Sequence, residues 1–144
     1  MGRVKIKFPE QKALHTAHIP VRITDINYGG HLGNDSLLSV IHESRMQLLA
    51  NWGYDELNAG GTALIMADVM IAYKGEAFYG DVLTIHLFVE EITAHSFDLL
   101  YRITREREGA IAEIAHAKTG MICFDYGTRK IVPMQGALRS RLAG

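Results

Sequence analysis

The sequence predicts an α+β fold in which a curved antiparallel β-sheet wraps around one long central α-helix. Three observations predict it. Only one long stretch has helical spacing, about four long stretches rich in Val, Ile, Leu, Thr and aromatics follow it, and the breaks between those stretches are short and turn-like. A lone amphipathic helix must bury its apolar face, and here only a sheet is available to receive it.

Along the chain, His15 to Thr24 reads as the first strand, with Ile19, Val21 and Ile23 alternating against His18, Pro20 and Arg22. The turn-rich run DINYGGHLGND follows. Asn34 or Asp35 is the expected N-cap of a helix from Ser36 to Trp52, about 25 Å long at 1.5 Å per residue. Leu37, Leu38, Ile41, Leu48, Leu49 and Trp52 are expected on one face, and Gly53 is placed to end the helix in a left-handed conformation. The run YDELNAGG has room for one short helical turn. Thr62 to Tyr73, Asp81 to Ile92, Phe97 to Thr104 and Ala110 to Phe124 are the long strands, the last two divided by the charged hairpin Arg105 to Gly109. Arg129 to Val132 is a candidate final short strand, and no further long helical pattern is present. No repeat or linker divides the 144 residues, so residues 1–144 are expected to form one domain.

Composition narrows the function classes. The formal net charge is -1 with both signs interspersed, and no basic stripe or aromatic-basic platform is present, so nucleic acid is not an expected partner. No stretch approaches membrane-spanning length. The opening MGRVKIKFPE is too polar for a secretory signal, and Ile6 stands where a myristoylation motif at Gly2 needs Ser or Thr. A cytoplasmic protein is expected. Cys123, the single cysteine, lies in the apolar run Met121-Ile122-Cys123-Phe124 and reads as a buried strand residue. No metal-ligand cluster surrounds it, and neither metal nor cofactor is implied.

A sheet wrapped around one helix is the hotdog architecture. The segment VRITDINYGGHLGNDSLLSVIHESRMQLL resembles the signature of the 4-hydroxybenzoyl-CoA thioesterase-like branch of hotdog proteins, through Asp25, Asn27, Gly30, His31, Asn34, Glu43 and Arg45. A second, weaker likeness runs from Tyr73 through Gly80-Asp81 to Ser96-Phe97. The resemblance implies an acyl-CoA thioesterase that needs no cofactor. It also implies a catalytic carboxylate at the second acidic position of an Asp-x-Asp pair. That position is Asn27 here, and an amide is neither a general base nor a carboxylate nucleophile. The Asp-x-Asn…His order is similar to that of plant acyl-carrier-protein thioesterases, with His31 set further along the chain.

Thioester hydrolysis needs a polarised carbonyl, an aimed water and a stabilised oxyanion. The free N–H groups at a helix N-terminus supply the first and third. The glycine-rich approach Gly29-Gly30-His31-Leu32-Gly33 is expected to bring substrate against its own amides, with Gly29, Gly30 and Leu32 as substrate contacts. Asp25 is a candidate for activating water or orienting a neighbour, and otherwise a turn-capping Asp. Asn27 can hold a water or bond the carbonyl, and is otherwise a turn residue. His31 is a candidate base or proton donor to the leaving thiolate. Glu43, on the helix side away from the apolar stripe, is a second candidate base or a solvated residue. Arg45 falls within the apolar stripe and requires a carboxylate or carbonyl partner. Tyr73, Lys74 and the Arg102/Arg105/Arg107 run are candidates for the CoA phosphates.

Two other readings use the same residues. An enoyl-thioester hydratase has a similar motif, which Asp25-Ile26-Asn27 and His31 miss by one residue and a proline. A non-catalytic acyl-CoA-binding hotdog protein is favoured by Asn27. The long edge strands would stand unpaired in a monomer, so a homodimer or homotetramer is expected.

Overall fold

Alternate residues of the long strands turn their side chains to one face, and that face is apolar. In β3 (Val82–Glu90) Leu83, Ile85 and Leu87 are buried, and in β4 (Ser96–Arg107) Phe97, Leu99, Tyr101 and Ile103 are buried. The computed structural model describes residues 3–144; Met1 and Gly2, where the lipidation reading falls, lie outside the described residues. With β1 (His15–Pro20), β2 (Ala63–Tyr73) and β5 (Ala110–Asp125), these strands form a sheet in the order β1-β3-β4-β5-β2, antiparallel throughout. The short β6 (Lys130–Ile131) adds to β5. The sheet packs on α1 (Asn34–Asn51), whose Leu37, Val40, Ile41, Leu48 and Leu49 join the strand side chains in one core. This is the hotdog architecture that the sequence predicts.

Several local expectations are corrected. The first strand ends at Pro20 rather than Thr24, because a short 3-10 turn forms at Ile23–Asp25, closed by the Asp25 carboxylate accepting the Arg22 N–H. The helix begins at Asn34 with Gly33 as its N-cap: the Gly33 carbonyl accepts the Leu37 N–H, and neither Asn34 nor Asp35 caps through its side chain. Leu38 is exposed rather than on the core face. YDELNAGG forms no helical turn, because Asp55 Oδ1 accepts the Leu57 and Asn58 N–H groups and fixes a different bend. The β4–β5 strands pair as far as Arg107 and Ala110, so the hairpin shrinks to Glu108-Gly109, both at positive φ. A second helix, α2 (Gly136–Ala143), was not foreseen. It buries only Leu138 and Leu142, too few positions to register as a helical pattern.

Other expectations hold. Gly53 adopts φ 79° just beyond the helix, Cys123 is buried in β5, and a short strand forms within 129–132.

Candidate active site

The run from Asp25 to Ser36 joins the 3-10 turn to α1, and its backbone is tied down from within. The Asn27 carbonyl accepts the Gly30 N–H, and the Asn27 N–H donates to the His31 carbonyl. Asn27 Oδ1 accepts the Gly29 N–H at 2.9 Å. The Leu32 N–H donates to the Ala77 carbonyl and the Gly33 N–H to the Asp25 carbonyl. Four of the five amides from 29 to 33 are therefore spent inside the protein, and the expected cradle built from Gly29, Gly30 and Leu32 amides is corrected. Leu32 is also buried, with its side chain in the core. The N–H groups of this run that take no acceptor among the described residues are those of Tyr28, His31, Asn34, Asp35 and Ser36. The last three belong to the first turn of α1, where the helix dipole favours negative charge.

Three polar side chains gather around two glycines. A Cβ at Gly29 would lie 3.2 Å from Asn27 Oδ1 and 3.4 Å from His31 Nε2. A Cβ at Gly33 would lie 2.9 Å from Asp35 Oδ1 and 3.5 Å from Asn27 Cβ. A side chain at Gly33 would make the Asp35 carboxylate shift, and one at Gly29 would press on the Asn27 amide oxygen. His31 Nδ1 lies 3.2 Å from the Leu32 carbonyl. A carbonyl can only accept, so Nδ1 carries the proton and Nε2 is left with a lone pair directed elsewhere.

Asp25 sits beneath this loop and is 4% exposed. Its carboxylate accepts the Arg22 N–H at 2.8 Å and the Arg22 guanidinium from Nε and Nη2, both at 3.3 Å. Burial works to raise its pKa, but the Arg22 amide and guanidinium, with the Ser36 hydroxyl, outweigh it and hold the carboxylate below its ordinary 3.8. So Asp25 is a fixed anion and a weak base, tied to the first turn of α1. Glu43 is exposed and accepts a bond from Gln47 Nε2 at 2.8 Å. It shares a cavity of about 340 Å³ with Asp25, His18, Arg22 and Ser39.

Tyr73 and Lys74 are exposed at the end of β2, and no bond among the described residues joins their side chains to positions 25–31. The arginine run expected to meet phosphates is largely neutralised within the chain. Arg102 pairs with Glu113 at 2.6 Å, and Arg107 and Arg105 both approach Asp81, at 2.7 and 3.6 Å. Arg45 does find its expected carboxylate, in Glu56 at 3.2 Å.

Sequence reading missed the Asp35 carboxylate as a site group. An Asp in the first turn of a helix is ordinary dipole chemistry, and nothing in its spacing says that it folds back over Gly33.

Open helix-start amides, the His31 imidazole and the Asp35 carboxylate thus stand at one end of α1 on a hotdog sheet. The chain belongs to the thioesterase-like superfamily, whose profile matches residues 21–142. It is 29% identical over 125 residues to the long-chain acyl-CoA thioesterase FadM of Escherichia coli (strain K12), covering 86% of this chain and 93% of that one. Among solved structures, a 1,4-dihydroxy-2-naphthoyl-CoA thioesterase from Synechocystis superposes with a TM-score of 0.79 at 22% identity, covering 89% of this chain and 94% of that one. A gentisyl-coenzyme A thioesterase superposes with a TM-score of 0.74 at 15% identity, covering 89% and 99%. At those identities the two structures bear on the fold alone.

Proposed function

We propose that this chain hydrolyses an acyl-CoA thioester to the free acid and CoA, at the N-terminal end of α1. The observation that carries the reading is the first-turn amides of Asn34, Asp35 and Ser36, unpaired among the described residues, with His31 in the loop that leads into them and its Nδ1 turned to the Leu32 carbonyl. The thioester carbonyl oxygen lies against those amides. His31 Nε2 takes a proton from a water as its oxygen bonds to the carbonyl carbon, and the amides hold the resulting oxyanion. The tetrahedral intermediate then collapses, the C–S bond breaks, and the imidazolium returns the proton to the departing thiolate.

Around that step, Asn27 holds the loop and offers its side-chain N–H₂ to the water or the carbonyl. Asp25 fixes the start of α1 as an anion, Asp35 is the carboxylate in the first turn beside the loop, and Glu43 lines the cavity next to Asp25 as the second candidate base. Gly29 and Gly30 leave room for the substrate, and Leu32 anchors the loop through packing. Tyr73 and Lys74 meet the CoA arm from the end of β2.

The working unit is a homodimer or a homotetramer, joined sheet edge to sheet edge. Among the described residues β2 is a sheet edge with no partner on one side, and Met66, Val69, Met70 and Tyr73 are exposed along it. The free Cys123 thiol fits a reducing, cytoplasmic setting.

A panel of saturated acyl-CoAs, assayed for thiol release, tests the activity. Turnover of at least one member is expected, with no hydration of crotonyl-CoA. Tight acyl-CoA binding with no thiol release from any member would replace this reading with a binding protein.

A further inference from the structure

The middle of α1 carries a polar arrangement that hydrolysis does not use. Arg45 is 5% exposed and Thr119 is fully buried. Arg45 Nε donates to Glu56 Oε2 at 3.2 Å, and Nη1 donates to the Tyr101 hydroxyl at 3.1 Å. Tyr101 lies 2.7 Å from Thr119 Oγ1. The Tyr101 oxygen accepts from Arg45, and either hydroxyl can donate in its contact with Thr119; in the arrangement where Tyr101 donates, the Thr119 proton is left to be given onward. Arg45 Nη2 takes no acceptor among the described residues, and it is not one of the sealed, unpartnered atoms, which are Thr62 Oγ1 and His86 Nδ1.

Both donors belong to residues that line the same pit. It has a volume of about 260 Å³, with Ile41, Arg45 and Thr119 at its buried floor and Leu38, His42 and Met66 at its rim. Leu38 and Met66 are exposed large apolar residues at 42% and 47%. Met66 lies on the free edge of β2, so a second copy pairing there would roof the pit. Leu38, Ile41 and Arg45 follow one flank of the helix, and Arg45 stands about 16 Å along the axis from Asn34 at 1.5 Å per residue. Leu38 and Ile41 lie between the helix start and Arg45 along that flank and line the pit, so the approach to the polar floor on this side is apolar.

The charge balance says what that floor accepts. Glu56 already compensates Arg45, so the pit has hydrogen-bond donors to offer and no large excess of positive charge for a full anion.

We infer that this pit is the far end of the acyl site, and that it selects acyl groups bearing a neutral oxygen acceptor, hydroxyl or keto, well away from the thioester. The inference rests on the thioesterase reading and deepens it. Arg45 and Thr119 bond that oxygen, while Leu38, Ile41 and Met66 enclose the chain leading to it. A plain alkyl group of equal length fills the same space but leaves the donors without acceptors, which a buried site penalises.

The test compares kcat/KM for medium-length acyl-CoAs of equal carbon number with and without a hydroxyl or keto group near the far end. The oxygenated substrates are expected to be preferred about 10- to 100-fold. Thr119→Val should bring the ratio toward one. Should that buried variant not fold, Leu38→Trp at the exposed rim should collapse the ratio by filling the pit. A ratio near one in the wild-type protein overturns the inference, as does a high ratio that survives both variants. Absence of thiol release from every acyl-CoA would instead overturn the thioesterase reading beneath it.

Discussion

The two ends of α1 are finished in opposite ways. At the C-terminal end, Gly53 turns at φ 79°, the Trp52, Gly53 and Tyr54 N–H groups donate back to the Leu49 and Ala50 carbonyls, and Trp52 packs edge-on to Tyr54 at 6.3 Å. Leu48 and Leu49 are buried just before this cap. At the N-terminal end no side chain caps the helix, and the first-turn amides of Asn34, Asp35 and Ser36 take no acceptor among the described residues. A helix end normally has its free groups satisfied. One end of this helix is closed for stability, and the other leaves donors open, which the proposed function assigns to a substrate oxygen. The loop before the open end spends four of its five amides from 29 to 33 internally.

That contrast predicts that substitutions at the two ends separate cleanly into catalytic and stability effects. The largest effect is expected at the open end: His31→Gln should lower kcat by about 10²- to 10⁴-fold with KM and melting temperature little changed. Steady-state kinetics beside a thermal melt checks this, and a lower melting temperature with kcat intact would reverse the assignment. At the closed end, Leu48→Ala should cost about 3–5 kcal/mol of stability, read by denaturant unfolding, with kcat per folded molecule unchanged. A smaller effect is expected from Asp25. Its folded-state pKa lies below the ordinary 3.8, so the ionised group adds stability that is complete above about pH 4 and is lost as pH falls through the lower folded value. Asp25→Asn should therefore lower stability at neutral pH and flatten the acid limb of the stability curve. A limb of unchanged steepness would show that Arg22 and Ser36 do not hold the carboxylate.

Much of the fold was legible because its signals are periodic. Strand alternation in β3 and β4 and the Leu37-Ile41-Leu48 stripe of α1 each repeat often enough to specify a face. Leu38 misled because it neighbours Leu37 in sequence, yet its direction on the helix faces the pit. Helix α2 was missed because two buried leucines carry no period, and much of its anchoring comes from contacts far away in sequence, such as Arg139 to the Thr93 carbonyl. In the candidate site, composition pointed to the glycine-rich loop but did not show that most of its amides are spent inside the protein. Three glycines look like an open cradle until the Ala77 carbonyl, 45 positions beyond Leu32, takes one of the amides. The Asp35 carboxylate and the Nδ1–Leu32 bond that fixes the His31 tautomer depend on rotamers that no spacing reveals.

Proline substitution at the start of α1 tests the central claim most directly, because it deletes a backbone N–H where a helix tolerates the ring. Asn34→Pro removes the first unpaired amide, and Gly33 before it is already extended at ψ 157°, as a residue preceding proline prefers. Asp35→Pro removes the second, with Asp35→Ala alongside to separate the amide from the carboxylate. At least one proline variant should lose about 100-fold or more in kcat for acyl-CoA hydrolysis relative to its control, with the melting temperature held. Both variants turning over within a few-fold of their controls would mean that these amides do not hold the oxyanion.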